Sequence, residues 1–228
     1  MKVMIGRATP EDALAIASLA ADALATRIDA DSPRVRKILN EGLTFVARID
    51  ESIVGFASNF FTFDREGRRR FELDLLAVAP GAQRRGIGGR LAEASLAAAR
   101  DSKPVLIRTL LRSENWSMQR LCRRYGFTRS PGQKQLFVTH PRPAIRSCRK
   151  HCAYLIRVET LSYSGIWLEG GLSQAAIDDA LWKASRSDTS VIGTVIPSDA
   201  SPLAKMLRAN SFKSVGEYNW WTINPGSV

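Results

Sequence analysis

Seven residues, Gln83-Arg84-Arg85-Gly86-Ile87-Gly88-Gly89, have the types and the spacing to hold a pyrophosphate. Glycines at 86, 88 and 89 let the backbone turn tightly and let a ligand come close to it. The preceding run, Phe71-Glu72-Leu73-Asp74-Leu75-Leu76-Ala77-Val78, reads as a strand that stops at Pro80, and Arg90 to Arg100 reads as a helix. The first turn of a helix has amide N–H groups without internal partners and the positive end of the dipole, so this strand–turn–helix attracts phosphate. Two better-known phosphate loops do not fit. A Walker A loop needs Gly-Lys followed by Ser or Thr, a triplet absent from the chain. A dinucleotide fingerprint counted from Gly86 needs its third glycine where Leu91 stands. What remains is the pattern Q/R-x-x-G-x-G/A, filled by Gln83, Gly86 and Gly88.

The elements that must position this loop can be read on either side of it. After the helix come a strand from Pro104 to Leu111, then Asn115, then a helix ending in Tyr125-Gly126-Phe127. Upstream, Lys2 to Arg7 alternates as a first strand. Thr9, with Pro10 at N1 and Asp12 at N3, opens a helix that runs to about Arg27, its apolar positions Ile16, Leu19 and Leu24 recurring at the helical period. A short helix from Ser32 to Leu39 ends before Gly42, and Leu43–Ile49 and Ile53–Phe63 form a hairpin around Asp50-Glu51. The order β-α-α-β-β-β-α-β-α-β, with the loop, Asn115 and Gly126-Phe127 in place, resembles the GCN5-related N-acetyltransferase (GNAT) family over roughly residues 3–138. The resemblance implies an α/β (α+β) fold, the acyl-CoA acyltransferase fold, with a mixed central sheet flanked by helices. It also implies acetyl-CoA as co-substrate and an amine as acceptor.

Acetyl transfer to an amine requires a positioned thioester, a polarised carbonyl, a neutral amine and a protonated leaving thiolate. Carried over from the family, Leu76, Ala77 and Val78 would offer backbone groups to the pantetheine arm and to the thioester. Gln83, Arg84, Arg85, Gly86, Ile87, Gly88 and Gly89 would hold the pyrophosphate, and Asn115 would bond the pantetheine arm or a water. Asp74 occupies the position of the acid that some small-molecule members carry four residues before the last Val of the strand. Glu72, two residues earlier, lies on the same face, and paired acids in one pocket raise one another's pKa. Their alternative role is as exposed partners of Arg68, Arg69 or Arg70. The family's tyrosine acid, seven residues after the Asn, is replaced by Cys122, which is either a proton donor or a small core residue. Tyr125, three residues further on, points elsewhere on an ideal helix. The loop looks like that of ribosomal-protein alanine acetyltransferases, but the acid those enzymes carry five before the Asn is Leu110 here. A small-molecule acceptor is therefore the first expectation, with a protein N-terminus or a non-catalytic acyl-CoA-binding module as alternatives.

Composition bounds these readings. The chain has 228 residues, 24% of them charged and 45% hydrophobic, as expected of a globular protein that buries a full core. Asp12 and Asp22 interrupt the first apolar run, so no signal peptide is expected. No stretch of 18 apolar residues occurs, so no membrane span is expected. Three cysteines, an odd number, argue against a disulfide framework and suit a reducing cytoplasm. The net charge of +11 lies mostly in the first part, where residues 1–140 hold 23 basic and 15 acidic side chains. A polyanionic cofactor suits that balance, and nucleic acid is not the expected partner. Arg120, Arg123 and Arg124 share one helix face. Cys148-Arg149-Lys150-His151-Cys152 lacks a second ligand pair, so no metal is expected.

Residues 139–150, with Pro141 and Pro143, read as a linker between a domain at 1–138 and a second unit at 151–228. Shifting the sequence by 85 lays Phe212 on Phe127, Ile192 on Ile107 and Ser173 on Gly88, so the second unit looks like a half repeat of the first. In that shift Glu159 falls on Asp74, and Leu168 to Ser173 fall on Gln83 to Gly88, where Glu169 would repel a phosphate. Ala200 falls on Asn115. The unit is expected to have lost the cofactor signature and to pack on the first, extend its sheet or make a homodimer contact. Trp167, Trp182, Trp220 and Trp221 lie there, as core or as the wall of an interface or pocket.

Overall fold

A computed structural model describes residues 2–145 and 149–225. The first part runs β1 (Val3–Arg7), α1 (Ala13–Leu24), α2 (Pro33–Asn40), β2 (Thr44–Ile49), β3 (Ser52–Phe63), β4 (Arg69–Val78), α3 (Ile87–Ser102), β5 (Leu106–Arg112), α4 (Trp116–Arg124), β6 (Thr128–Arg129) and β7 (Lys134–Thr139). The second runs β8 (Cys152–Glu159), β9 (Ser164–Gly171), α5 (Gln174–Ala184), β10 (Val191–Pro197), α6 (Ser201–Ala209) and β11 (Lys213–Ile223). Local chemistry sets several boundaries. The Thr9 N–H donates to Asp12 Oδ2 at 2.9 Å, and Asp12 also pairs with Arg48 at 2.6 Å, which fixes the start of α1 against β2. The helix ends at Leu24 rather than near Arg27, because Ala25 turns left-handed and Thr26 N–H closes back on Ala20 O.

Strand alternation sorts the core. Val46 of β2 packs with Ile16, Ala20 and Leu39 from α1 and α2. Its neighbours Phe45, Ala47 and Ile49 face Ile87 and Leu91 of α3 on the other side. In the second part Ile177, Leu181 and Leu207 of α5 and α6 cover Phe137, Ile166 and Ile192.

Among the described residues all eleven strands join one sheet, in the order β1-β2-β3-β4-β5-β11-β7-β10-β9-β8, with β6 beside β11. The centre of this order is an exchange. β11 of the second part lies antiparallel between β5 and β7, with Thr109 opposite Trp221. β7 of the first part lies antiparallel beside β10, with Phe137 opposite Thr194. The flanking pairs β4·β5 and β9·β10 are both parallel. An approximate two-fold axis thus passes between β7 and β11. The sheet also curls, bringing β8 back towards β3. There Lys37 bonds Glu159 at 3.0 Å and Arg34 donates to Leu161 O at 3.4 Å.

The offset of 85 holds from the helix that follows β5 onward. Asn115 and Ala200 have φ/ψ of −81/69 and −77/62, and Tyr125 and Asn210 have −96/17 and −96/21. Phe127 N–H bonds Cys122 O, and Phe212 N–H bonds Leu207 O, each at 3.0 Å. In the strand before the first repeated helix the offset becomes 95. Phe71 pairs with Ile107, as Ile166 does with Ile192. The second part has only Leu172 and Ser173 between β9 and α5, where the first has residues 79–86. Leu168 to Gly171 are therefore strand, not a degenerate phosphate loop, and Glu169 rather than Glu159 is the counterpart of Asp74. An ungapped shift slides past that deletion because both runs are apolar and alternating.

Candidate active site

β4 and β5 pair only from Arg70 to Glu72 with Leu106 to Arg108. Beyond Glu72, β4 continues to Val78 with no ladder partner on that side, so Leu76, Ala77 and Val78 present one backbone edge to a widening slot. The predicted loop closes the far end. Gln83 Nε2 donates to Val78 O at 3.1 Å, which makes Gln83 a brace between loop and strand. Arg84 and Gly86 turn left-handed, with φ of 59° and 75°, and α3 begins at Ile87 with no side chain capping it. A Cβ at Gly86 would meet nothing within 4 Å, so that glycine serves its φ. One at Gly89 would sit 3.3 Å from Tyr125 Oη, which approaches the Gly89 carbonyl at 3.0 Å and Glu93 at 2.8 Å. Arg84, Arg85 and Gly86 are exposed beside this bare helix start; Ile87 is buried beneath it.

The slot narrows between β4, α3 and α4 to a cavity of about 30 Å³, room for one water, lined by Asp74, Ser95, Met118, Cys122 and Tyr125 among others. Asp74 also lines a second and much larger cavity, of about 530 Å³. Its position comes from a β-bulge. Leu73 pairs with Asn59 and Leu75 with Ser58, which leaves Asp74 without an opposite residue on β3. Asp74 Oδ2 is buried without a hydrogen-bond partner, and burial, then the nearby Glu72 charge, pushes the carboxyl up to about 7. Glu72, expected as its equal, is committed elsewhere. It accepts from Thr62 Oγ1 and takes Arg108 Nε on both oxygens at 2.8 and 2.9 Å. Neither acid is an exposed partner of Arg68 or Arg69; Arg70 comes within 3.9 Å of Glu72.

The large cavity lies between the two parts of the chain, inside the curl of the sheet. Glu169, from β9, receives Arg108 at 2.6 Å and Arg70 at 2.9 Å. Burial alone would raise the Glu169 carboxyl, but Arg108 and Arg70 outweigh it and hold it below the usual range. Trp220 and Trp167 wall the cavity, with Arg108 4.2 Å over the Trp220 ring and Trp167 Nε1 donating to Tyr163 Oη at 3.2 Å. Trp221, the next residue along β11, points the other way into the core with Phe71 and Ile107. Arg108, Tyr163 and Glu169 were not expected at the site. A signal for Arg108 was available, as a lone charge within Leu106-Ile107-Arg108-Thr109-Leu110-Leu111.

Residues 40–129 match the family model described as "Acetyltransferase (GNAT) domain". The chain carries a GNAT domain. Solved structures extend the fold to the whole chain. An acetyltransferase proposed as such from Pyrococcus horikoshii superimposes with a TM-score of 0.65 at 18% identity, covering 97% of this chain and 89% of that one. A GNAT protein from Sphaerobacter thermophilus gives 0.56 at 14% identity, covering 98% and 96%. A tandem GNAT protein from the clavulanic acid biosynthesis pathway gives 0.56 at 12% identity, covering 99% of each chain. No curated protein sequence matches the chain.

Against the GNAT pattern, two expected residues sit differently. Asn115 is exposed and caps α4, its Oδ1 accepting from Met118 N–H at 3.2 Å. Cys122 is packed with Phe71, Leu96 and Trp221, and burial pushes its thiol up to about 12 against a lowering effect of Arg123. Its counterpart in the second part is the fully buried Leu207. Tyr125 lines the same small cavity as Cys122, because it leaves the helix at the C-cap rather than continuing an ideal wheel. Its hydroxyl is pushed up to about 12 by burial and by Glu93. Arg120, Arg123 and Arg124 are exposed on α4. Cys148 lies outside the described residues. Among the described residues, no group of three or more metal-ligating side chains occurs, and no helix is long and apolar enough to cross a membrane.

Proposed function

We propose that the chain is an acetyl-CoA-dependent N-acetyltransferase that transfers an acetyl group directly to a small-molecule amine, with Asp74 as the base. One observation carries this reading: Asp74 lines both the cofactor slot and the large cavity, and its buried oxygen has no partner. The slot fits the co-substrate. An uncapped helix start with exposed arginines suits a pyrophosphate, and the unpaired edge of β4 suits an extended amide-bearing arm. Bound acetyl-CoA supplies an activated acetyl thioester. Leu76 to Val78 would orient it and offer a backbone N–H to its carbonyl. Asp74, ionised above about pH 7, takes the proton of the incoming ammonium on Oδ2, leaving the nitrogen lone pair free to attack. Cys122 is a poor acid for the leaving sulfur. A thiol at about 12 giving a proton to a thiolate of ordinary pKa runs uphill by roughly 5 kcal/mol. Protonated Asp74, near 7, can hand its own proton on downhill.

Two units, 1–138 and 151–228 with a linker at 139–150, would share one catalytic slot, since only the first has the phosphate loop. The test is Asp74→Asn, assayed for CoA release and for acetyl-CoA binding by calorimetry. Turnover should fall by about 10²–10⁴ while affinity holds within roughly threefold. An Arg84→Glu/Gly86→Asp double variant should lose binding. Tight acetyl-CoA binding with no turnover on any amine would favour a non-catalytic module instead.

A further inference from the structure

The large cavity is built by both parts of the chain, and its chemistry is selective. Phe60, Tyr163, Trp167, Tyr218 and Trp220 give it aromatic walls. The guanidinium in its lining, Arg108, is already engaged by Glu72 and Glu169, and Arg70, just outside the lining, bonds Glu169, Thr62 Oγ1 and Phe63 O. Two positive and two negative charges cancel, and Asp74 remains as a further carboxyl whose buried Oδ2 has no partner. Among the residues that line the cavity, an acceptor's carboxylate or phosphate would find no unengaged cation and would face three acids. A cationic amine would find a carboxylate and aromatic faces. The volume, about 530 Å³, falls in the ordinary range of a small-molecule pocket.

We propose that this cavity takes a primary amine on a compact, apolar body without anionic groups, an aryl- or alkylamine, and that Glu169 sets the preference by neutralising Arg70 and Arg108. The substrate class rests on the acetyltransferase reading; the cavity's selectivity does not. Glu169 is a specificity-determining residue supplied by the part of the chain that lacks the phosphate loop.

The experiment compares 2-phenylethylamine with phenylalanine, which adds only a carboxylate. Binding is read from tryptophan fluorescence of the full chain without acetyl-CoA, and turnover from CoA release with it. The parent should favour 2-phenylethylamine by about 100-fold in both readouts, the penalty for an unpaired buried carboxylate. Glu169→Gln frees positive charge and should narrow that ratio by about tenfold, through KM rather than kcat. Equal binding of the two probes by the parent, binding of neither, or an unmoved ratio in a folded Glu169→Gln protein overturns the proposal. If that variant does not fold, the parent's ratio alone decides. Failure of acetyl-CoA to bind by calorimetry would instead remove the acetyltransferase reading, and the fluorescence ratio would still judge the cavity.

Discussion

Neutralising Asp74 should make the protein more stable, by an amount that grows with pH. Its carboxyl is raised to about 7 in the fold, chiefly by burial. In the unfolded chain it returns to about 3.9, so the folded state holds the proton more tightly. Its contribution to stability is therefore fully present below the unfolded value and is lost as pH rises through the folded one. At pH 8 the shift of about 3 units costs roughly 4 kcal/mol relative to the protonated state; at pH 5 the cost is about 1.5 kcal/mol. Asp74→Asn removes this dependence and leaves every other titrating group in place. Its stability advantage over the parent should widen by about 2.5 kcal/mol between pH 5 and pH 8. Urea unfolding of both proteins at the two pH values, with m checked for constancy, measures it. An advantage that stays flat, or that shrinks towards pH 8, would mean the carboxyl is solvated or partnered, and its role as base near neutrality would lose its physical ground.

Cys122→Ala should cost about 1–2 kcal/mol of stability from lost packing and change kcat by less than about threefold. A hundredfold fall in kcat with unchanged stability would restore the thiol as the acid. Ending the chain at Phe212 removes β11, strips Trp221 and Ile223 from the core around Phe71 and bares the edge of β5. That shortened chain should show no cooperative urea transition, and a parent-like transition would refute the role given to β11.

The turn between β4 and α3 was legible because glycine is chosen by backbone demands that any reader of the sequence can apply, and Gly86 and Gly89 meet two of them in different ways. The chemical role of Asp74 stands as proposed; that it lies on β4 and faces the cleft was legible from the strand pattern. Its unequal partnership with Glu72 was not, because the partners that separate them, Arg108 and Thr62, come from neighbouring strands. Glu169 was misplaced because a short deletion before α5 preserves alternation on either side, so a constant offset looks continuous. The exchange of β7 and β11 left no local trace. Both strands alternate as sheet-formers would in either unit, and only pairing across the chain distinguishes the two arrangements.

The position of β11 in the sheet also sets when this protein can exist. β5, which forms one wall of the slot, lacks its second neighbour until residue 223 has left the ribosome. β7 is made early and waits for β10 and β11. Contacts so distant along the chain form late and slowly, so the nascent first part spends its synthesis with an open edge beside β5. A ribosome that stalls anywhere before the last strand therefore releases a chain in which neither part is closed. Completion of the slot thus waits on the last strand of the second part.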